Sequence, residues 1–151
     1  RIQITCVDPD VDDLAAIGRR AAEFDRERQF TFVALDVMLS RHHRPALQLA
    51  PQHLVLVPRL VADLDDEALL ALLNEIHSIL TPGGVLLLGQ IHVPAAFRAF
   101  LEHILMWPTG DRTPAQLAPL VERSRFGAGT IDVLEPDIDG FSLVALRRTE
   151  R

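Results

Sequence analysis

Acidic side chains follow two short apolar stretches near the start of the chain. Asp8 comes directly after IQITCV (2–7), and Asp36 comes directly after FTFVAL (30–35). Carboxylates accept hydrogen bonds, so this pair could hold a ribose diol and an exocyclic adenine amine. Acids are also common as helix caps and in the turns that end strands. Position alone therefore leaves a nucleotide-binding and a purely structural interpretation open.

A second group of chemically capable residues follows the apolar stretch VLLLGQI (85–91). His92 could act as a general base because the unperturbed pKa of histidine lies near neutrality, or it could simply hydrogen-bond its own loop. Trp107 with Arg112 could form a wall and a carboxylate clamp. More often such a tryptophan is packing and such an arginine lies at the surface.

Hydrophobic periodicity predicts the elements that position these residues. Strands are predicted at 2–7, 30–35, 53–57 and 85–91, helices after Asp10, within 63–80, at 94–107 and at 113–124, and a hairpin from GTIDVLE (129–135) and FSLVAL (141–146). Apolar strands that alternate with helices indicate an α/β fold with an open, mostly parallel, doubly wound sheet, here ending in an antiparallel hairpin. Ligands of such sheets bind at the carboxyl ends of the strands, which directs attention to Asp8, Asp36, 58–61 and 90–93.

Composition narrows the classes of protein. The 151 residues suit a single domain, and the net charge of −6 argues against a general nucleic-acid binder. No apolar run approaches the roughly 18 residues of a membrane span. The single cysteine, Cys6, excludes an internal disulfide, fits a reducing cytosol and predicts a cytoplasmic protein. His77 and His103 have no Cys, Asp or Glu at ligand spacing, so no metal site is predicted.

Four segments together resemble the class I (Rossmann-like) S-adenosylmethionine-dependent methyltransferases. They are ITCVDPDVDDLAAIGRRA, FTFVALDVM, HLVLVPRLVADLDDEALLALLNEIHSILTPGGVLLLGQI and FGAGTIDVLEPDIDGFSLVALRR. The resemblance implies that residues 1–151 are the C-terminal part of one methyltransferase domain, and the stretch from Gly89 to Thr113 is similar to a bacterial subgroup.

The resemblance also implies a site. S-adenosylmethionine would be the cofactor, with Asp8 and the adjacent Pro9 at its ribose, Asp36 at the adenine amine and Val37 against the ring. The methyl acceptor would be a small molecule with a hydroxyl or carboxylate group. His92 would serve as base or clamp, and Arg112 would orient a carboxylate acceptor.

Two departures from the family affect this interpretation. The family's first strand and its glycine-rich loop are absent, and in the family that strand lies between those at 2–7 and 53–57. Because strands with unpaired edges are costly, we expect an upstream segment, in the same polypeptide or in a partner chain, to supply it. Ala62 stands near the position where plant-type O-methyltransferases carry a catalytic histidine, which disfavours that mechanism.

Two other functions remain open. A non-catalytic relative could keep the fold as a binding or assembly module, and loss of the glycine loop would favour it. A nicotinamide-dependent oxidoreductase also uses an acid after its second strand. The terminal hairpin and the TPGG passage (81–84) make the oxidoreductase less favoured.

Overall fold

The computed structural model describes residues 2–37, 47–91, 93–107, 109–110, 112–127, 131–134 and 141–149. The chain forms two compact units, residues 1–44 and residues 45–151. Each unit has its own sheet. The prediction that residues 1–151 are part of a single domain stays a prediction.

The first unit is a strand–helix–strand unit. Strand β1 (Ile4–Asp8) pairs in parallel with β2 (Phe30–Ala34), and helix α1 (Val11–Ala22) connects them. Asp10 caps the helix, since its carboxylate accepts from the backbone N–H groups of Asp12 and Asp13. Two arginines in the last turn complement the negative end of the helix dipole. The predicted helix after Asp10 is confirmed.

The second unit is built on a four-stranded mixed sheet. Strand β3 (Gln52–Val57) leads through a short 3-10 turn (Leu60–Asp63) to helix α2 (Asp66–Ile79), which passes directly into β4 (Leu80–Ile91). The remaining elements are α3 (Ala95–His103), α4 (Pro114–Arg123), β5 (Ile131–Leu134) and β6 (Phe141–Arg147). The strand order is β3-β4-β6-β5, in which β3 pairs with β4 in parallel and β6 is antiparallel to both of its neighbours. The predicted α/β class, open sheet and terminal antiparallel hairpin are confirmed.

Leucine-rich faces form the core of this unit. Helix α2 buries the stripe that its 3.6-residue periodicity predicts, and strand β4 buries alternate residues. The members that are at most 2% exposed include Leu69, Leu73, Ile76, Leu86, Leu88, Leu117 and Val144. Helix α4 adds its apolar face to this core. It begins with Thr113 as N-cap and Pro114 at its first position, and Thr113 and Gln116 form a full capping box.

Two element boundaries differ from the sequence-based expectation by four residues or more. Strand β4 begins at Leu80 rather than Val85, because Leu80 already pairs with Gln52 and the N–H of Gly83 donates to the carbonyl of Arg148 at 3.0 Å. Helix α3 ends at His103, four residues before the predicted end. Beyond it the chain turns. Met106 has a φ of 50°, a left-handed backbone conformation that does not occur within a right-handed α-helix.

Strands β1 and β3 each have a hydrogen-bonded strand on one side only within the described part of the chain. On β3, Leu54 and Leu56 are 55% and 56% exposed, although they belong to an apolar run typical of a strand covered on both faces. No described strand therefore takes the place expected for the family's first strand, and both sheets are open. No helix among these residues is long and apolar enough to cross a membrane.

Gly89 lies where β4 approaches the residue that ends β3. A Cβ atom at Gly89 would sit 2.2 Å from the carbonyl oxygen of Pro58, a backbone atom that cannot rotate away. We expect Gly89→Ala to lower the free energy of unfolding by at least about 2 kcal/mol, measured by urea denaturation. Gly18→Ala on α1 is the control, because its Cβ would be 3.5 Å from the Phe32 ring. The control should keep or raise stability by up to about 1 kcal/mol, and equal stability of the two variants would contradict the packing argument.

Candidate functional site

The first unit brings the predicted cofactor-binding residues to one end of its parallel strand pair. Asp8 is the last residue of β1, and its Oδ1 accepts a hydrogen bond of 2.8 Å from the N–H of Asp10. Its backbone carbonyl accepts from Leu35 N–H at 3.1 Å, which ties it to the segment after β2. Asp36 follows on that segment. Both aspartates are half-buried, and each lies at the carboxyl end of its strand. The two lie at the same end of the strand pair because β1 and β2 run in the same direction.

The other predicted residues of this unit lie next to the two aspartates. Pro9 is exposed at the bend after β1, whereas Val37 is half-buried. Asp36 and Val37 are each already engaged in interactions. Burial raises the pKa of the Cys6 thiol, so less of it is in the nucleophilic thiolate form than in an exposed cysteine.

In the second unit, Arg112 is held by protein groups. Its Nη1 donates to the carbonyl of Val61 at 2.6 Å, and its Nη2 donates to the carbonyl of Leu64 at 2.6 Å and to Asp66 Oδ1 at 3.1 Å. The side chain is only 16% exposed. Arg112 therefore fastens the turn after β3, and its terminal nitrogens are occupied by the protein.

Gln90 lies near the end of β4 and connects the strand to Arg112. Its Oε1 accepts from the Arg112 N–H at 3.2 Å, which fixes the orientation of the amide. The side chain is 3% exposed, and its Nε2 has no hydrogen-bond partner within the described residues. A buried donor without an acceptor is unfavourable, so this amide is the least satisfied polar group of the site.

The segment 107–112 is fixed at three further points. The buried Thr109 hydroxyl donates to the Glu102 carboxylate on α3. The Arg59 guanidinium lies over the Trp107 ring, with its Cζ 4.5 Å from the ring centroid. A Cβ at Gly110 would meet the Ala62 carbonyl at 2.9 Å. The segment is thus joined both to α3 and to the turn after β3.

Sequence reasoning located this site only in part. His92 lies outside the described residues, so its predicted role stays a prediction. Trp107 does meet an arginine, but the partner is Arg59 rather than Arg112. Arg59 and Gln90 fall within 58–61 and 90–93, at the carboxyl ends of β3 and β4, and that position was the only signal that could have found them. The described part of the chain contains no group of three or more potential metal ligands.

Comparison with known proteins identifies the fold. The chain is similar to the mitomycin 7-O-methyltransferase MmcR (18% identity, TM-score 0.71, covering 97% of this chain). It is similar to an O-methyltransferase family protein from Burkholderia thailandensis (15% identity, TM-score 0.70, covering 98% of this chain). It is also similar to the S-adenosylmethionine-dependent methyltransferase SibL (18% identity, TM-score 0.67, covering 97% of this chain). No protein-family model matches the sequence, and no curated protein matches it.

The chain has the class I methyltransferase fold over part of that fold's length. It spans 42–44% of the chains of these three structures. The strand order in each of its two sheets agrees with this fold, with β1 beside β2 and with β6 inserted between β4 and β5.

The Arg112 contacts predict a graded loss of stability. Arg112→Met removes the donors to two backbone carbonyls, and we expect it to lower the free energy of unfolding by about 3 kcal/mol. Asp66→Asn breaks only a pair whose carboxylate side chain is 66% exposed, so its cost should be about 1 kcal/mol or less. Urea denaturation of both variants checks this order. A larger loss in Asp66→Asn would show that the ion pair, not the carbonyl contacts, holds the turn.

Proposed function

We propose that this chain is the C-terminal part of an S-adenosylmethionine-dependent methyltransferase that acts on a small molecule with a hydroxyl or carboxylate group. The observation that carries the proposal is the position of Asp8 and Asp36, at the carboxyl ends of the two parallel strands of the first unit, within a methyltransferase fold. In open α/β sheets that end of the strands is where ligands bind.

Asp8 has the chemistry that a ribose requires. Its Oδ1 accepts from Asp10 N–H, and no contact within the described residues occupies its Oδ2. A carboxylate is an acceptor only, so it can receive hydrogen bonds from the two hydroxyls of a sugar diol. We propose that Asp8 and Pro9 border the ribose of S-adenosylmethionine, and that Asp36 and Val37 border its adenine. When bound, S-adenosylmethionine supplies an electrophilic methyl group.

On the acceptor side, this chain's residues mainly hold and orient the small molecule. A hydroxyl acceptor must lose a proton, and His92 is our candidate base because of its position directly after β4. A carboxylate acceptor needs no base, only orientation. The contacts of Arg112 support a positioning role for that residue, which holds the turn after β3, rather than a direct contact with the acceptor.

We further propose that a strand from the same polypeptide or from a partner chain pairs with the open edges of β1 and β3. Two features support this: each strand has a hydrogen-bonded neighbour on one side only, and Leu54 and Leu56 of β3 are more than half exposed. The added segment would also carry the glycine-rich loop of the family. The single cysteine suits a reducing compartment, and we place the protein in the cytoplasm.

Cofactor binding tests the proposal. Asp8→Asn keeps an acceptor for Asp10 N–H but removes the charge that a diol prefers. In the full-length protein we expect isothermal titration calorimetry to show S-adenosylmethionine binding that Asp8→Asn weakens tenfold or more, by about 1.5 kcal/mol.

Asp12→Asn is the matched control, because Asp12 is an exposed acid in the first turn of α1. It should leave the affinity within about twofold. If the wild-type protein bound neither S-adenosylmethionine nor its demethylated product, a non-catalytic binding or assembly module would replace the methyltransferase proposal.

Hydrogen–deuterium exchange tests the added strand. We expect backbone amides of β1 and β3 to exchange at least about tenfold more slowly in the full-length protein than in the 151-residue chain, because paired edges are protected. The amides of β4 serve as the internal reference, since β4 is paired on both sides in the chain itself. Equal exchange of β1 and β3 in the two forms would rule out an added strand from the same polypeptide.

A further inference from the structure

Arg59 and Trp107 form an exposed pair at the carboxyl end of β3. Arg59 is the second residue after the strand, and its guanidinium carbon lies 4.5 Å from the centroid of the Trp107 ring. The arginine side chain is 40% exposed and the tryptophan is 45% exposed. A cation and a large aromatic surface are therefore both open to solvent at the end of the sheet where ligands of this fold class bind.

The guanidinium of Arg59 has donors to spare. Its one hydrogen bond within the described residues runs from Nη2 to Asp63 Oδ1 at 3.5 Å, the long limit for such a contact. A guanidinium offers five N–H donors in a planar fork. Contact with the Trp107 ring restrains the arginine without using any of these donors. The group is thus positioned and positively charged, and the described part of the chain uses only one of its donors.

The guanidinium of Arg112, in contrast to that of Arg59, is occupied by protein groups. Its terminal nitrogens donate to the carbonyls of Val61 and Leu64 and to Asp66. A carboxylate arriving from solution would have to displace these contacts to bind Arg112 in a fork. At Arg59 the one competitor within the described residues is Asp63, through a single long contact.

We propose that Arg59 and Trp107 bind the methyl acceptor, and that this acceptor is a small carboxylate with a planar apolar body. The carboxylate pairs with the Arg59 guanidinium in the bidentate geometry that this group favours. The planar body lies against exposed indole surface of Trp107. Asp63 weakens the site by competing for the same cation. This assignment rests on the proposed methyltransferase function and narrows its acceptor to a carboxylate.

Benzoate is the probe, and benzamide is its neutral counterpart of the same shape. Binding to the full-length protein is measured by calorimetry, with and without the demethylated cofactor. We expect the wild type to bind benzoate at least about tenfold more tightly than benzamide, because only the carboxylate makes charge-assisted hydrogen bonds. No measurable benzoate binding, or equal affinity for the two probes, would overturn the proposal.

Three variants locate the site. Arg59→Gln should weaken benzoate binding about tenfold or more and leave benzamide binding within about twofold, and Trp107→Leu should weaken the binding of both probes. Asp63→Asn should tighten benzoate binding about twofold or more, because it removes the competing negative charge. A loss of scaffolding would not strengthen binding, so this increase separates a binding role from a structural one. Unchanged benzoate affinity in Arg59→Gln, or weaker binding in Asp63→Asn, would contradict the assignment.

The cofactor titrations keep the two proposals distinguishable. If S-adenosylmethionine binds and depends on Asp8 while benzoate binding ignores Arg59, the acceptor assignment fails and the proposed function stands. If benzoate binding depends on Arg59 but no cofactor binds, an anion site remains in a protein that is not a methyltransferase, and the acceptor assignment fails with the function.

Discussion

Strand β4 is the element on which the second unit depends. It pairs in parallel with β3 on one side and antiparallel with β6 on the other, and it follows α2 without a loop. Leu86 and Leu88 are fully buried on it. Gly89 permits the backbone contact with Pro58 that brings the end of β3 against β4. The carboxyl end of β3, which Arg59 follows, is thus held against β4.

The turn after β3 is held by side chains that come from far along the chain. Arg112 fastens the carbonyls of Val61 and Leu64, and the ring of Trp107 restrains Arg59. Gln90 connects this arrangement back to β4 through the Arg112 backbone. A short turn cannot satisfy all of its own backbone carbonyls. The donors of Arg112 satisfy two of them here. The nearby Arg59 side chain stays 40% exposed.

The strands, helices and fold class were predictable because they depend on local patterns. The leucine stripe of α2, the Asp10 cap and the Thr113–Gln116 capping box act within a few residues of sequence. The predicted start of β4 was wrong because it depends on distant partners. The strand begins early because Leu80 pairs with Gln52 and the N–H of Gly83 donates to the carbonyl of Arg148. In the site, Asp8 and Asp36 could be predicted because an acid after a strand is a sequence feature.

The sequence by itself determined that this is an α/β chain with acids at the ends of its first two strands, because hydrophobic period and capping chemistry are local properties. Only the tertiary structure decided which arginine is enclosed by backbone carbonyls. Arg59 and Arg112 are the same residue type near the same strands, and nothing local distinguishes them. They differ because the carbonyls of Val61 and Leu64 lie 2.6 Å from the nitrogens of Arg112, whereas Arg59 meets an aromatic ring and, at 3.5 Å, one carboxylate oxygen of Asp63.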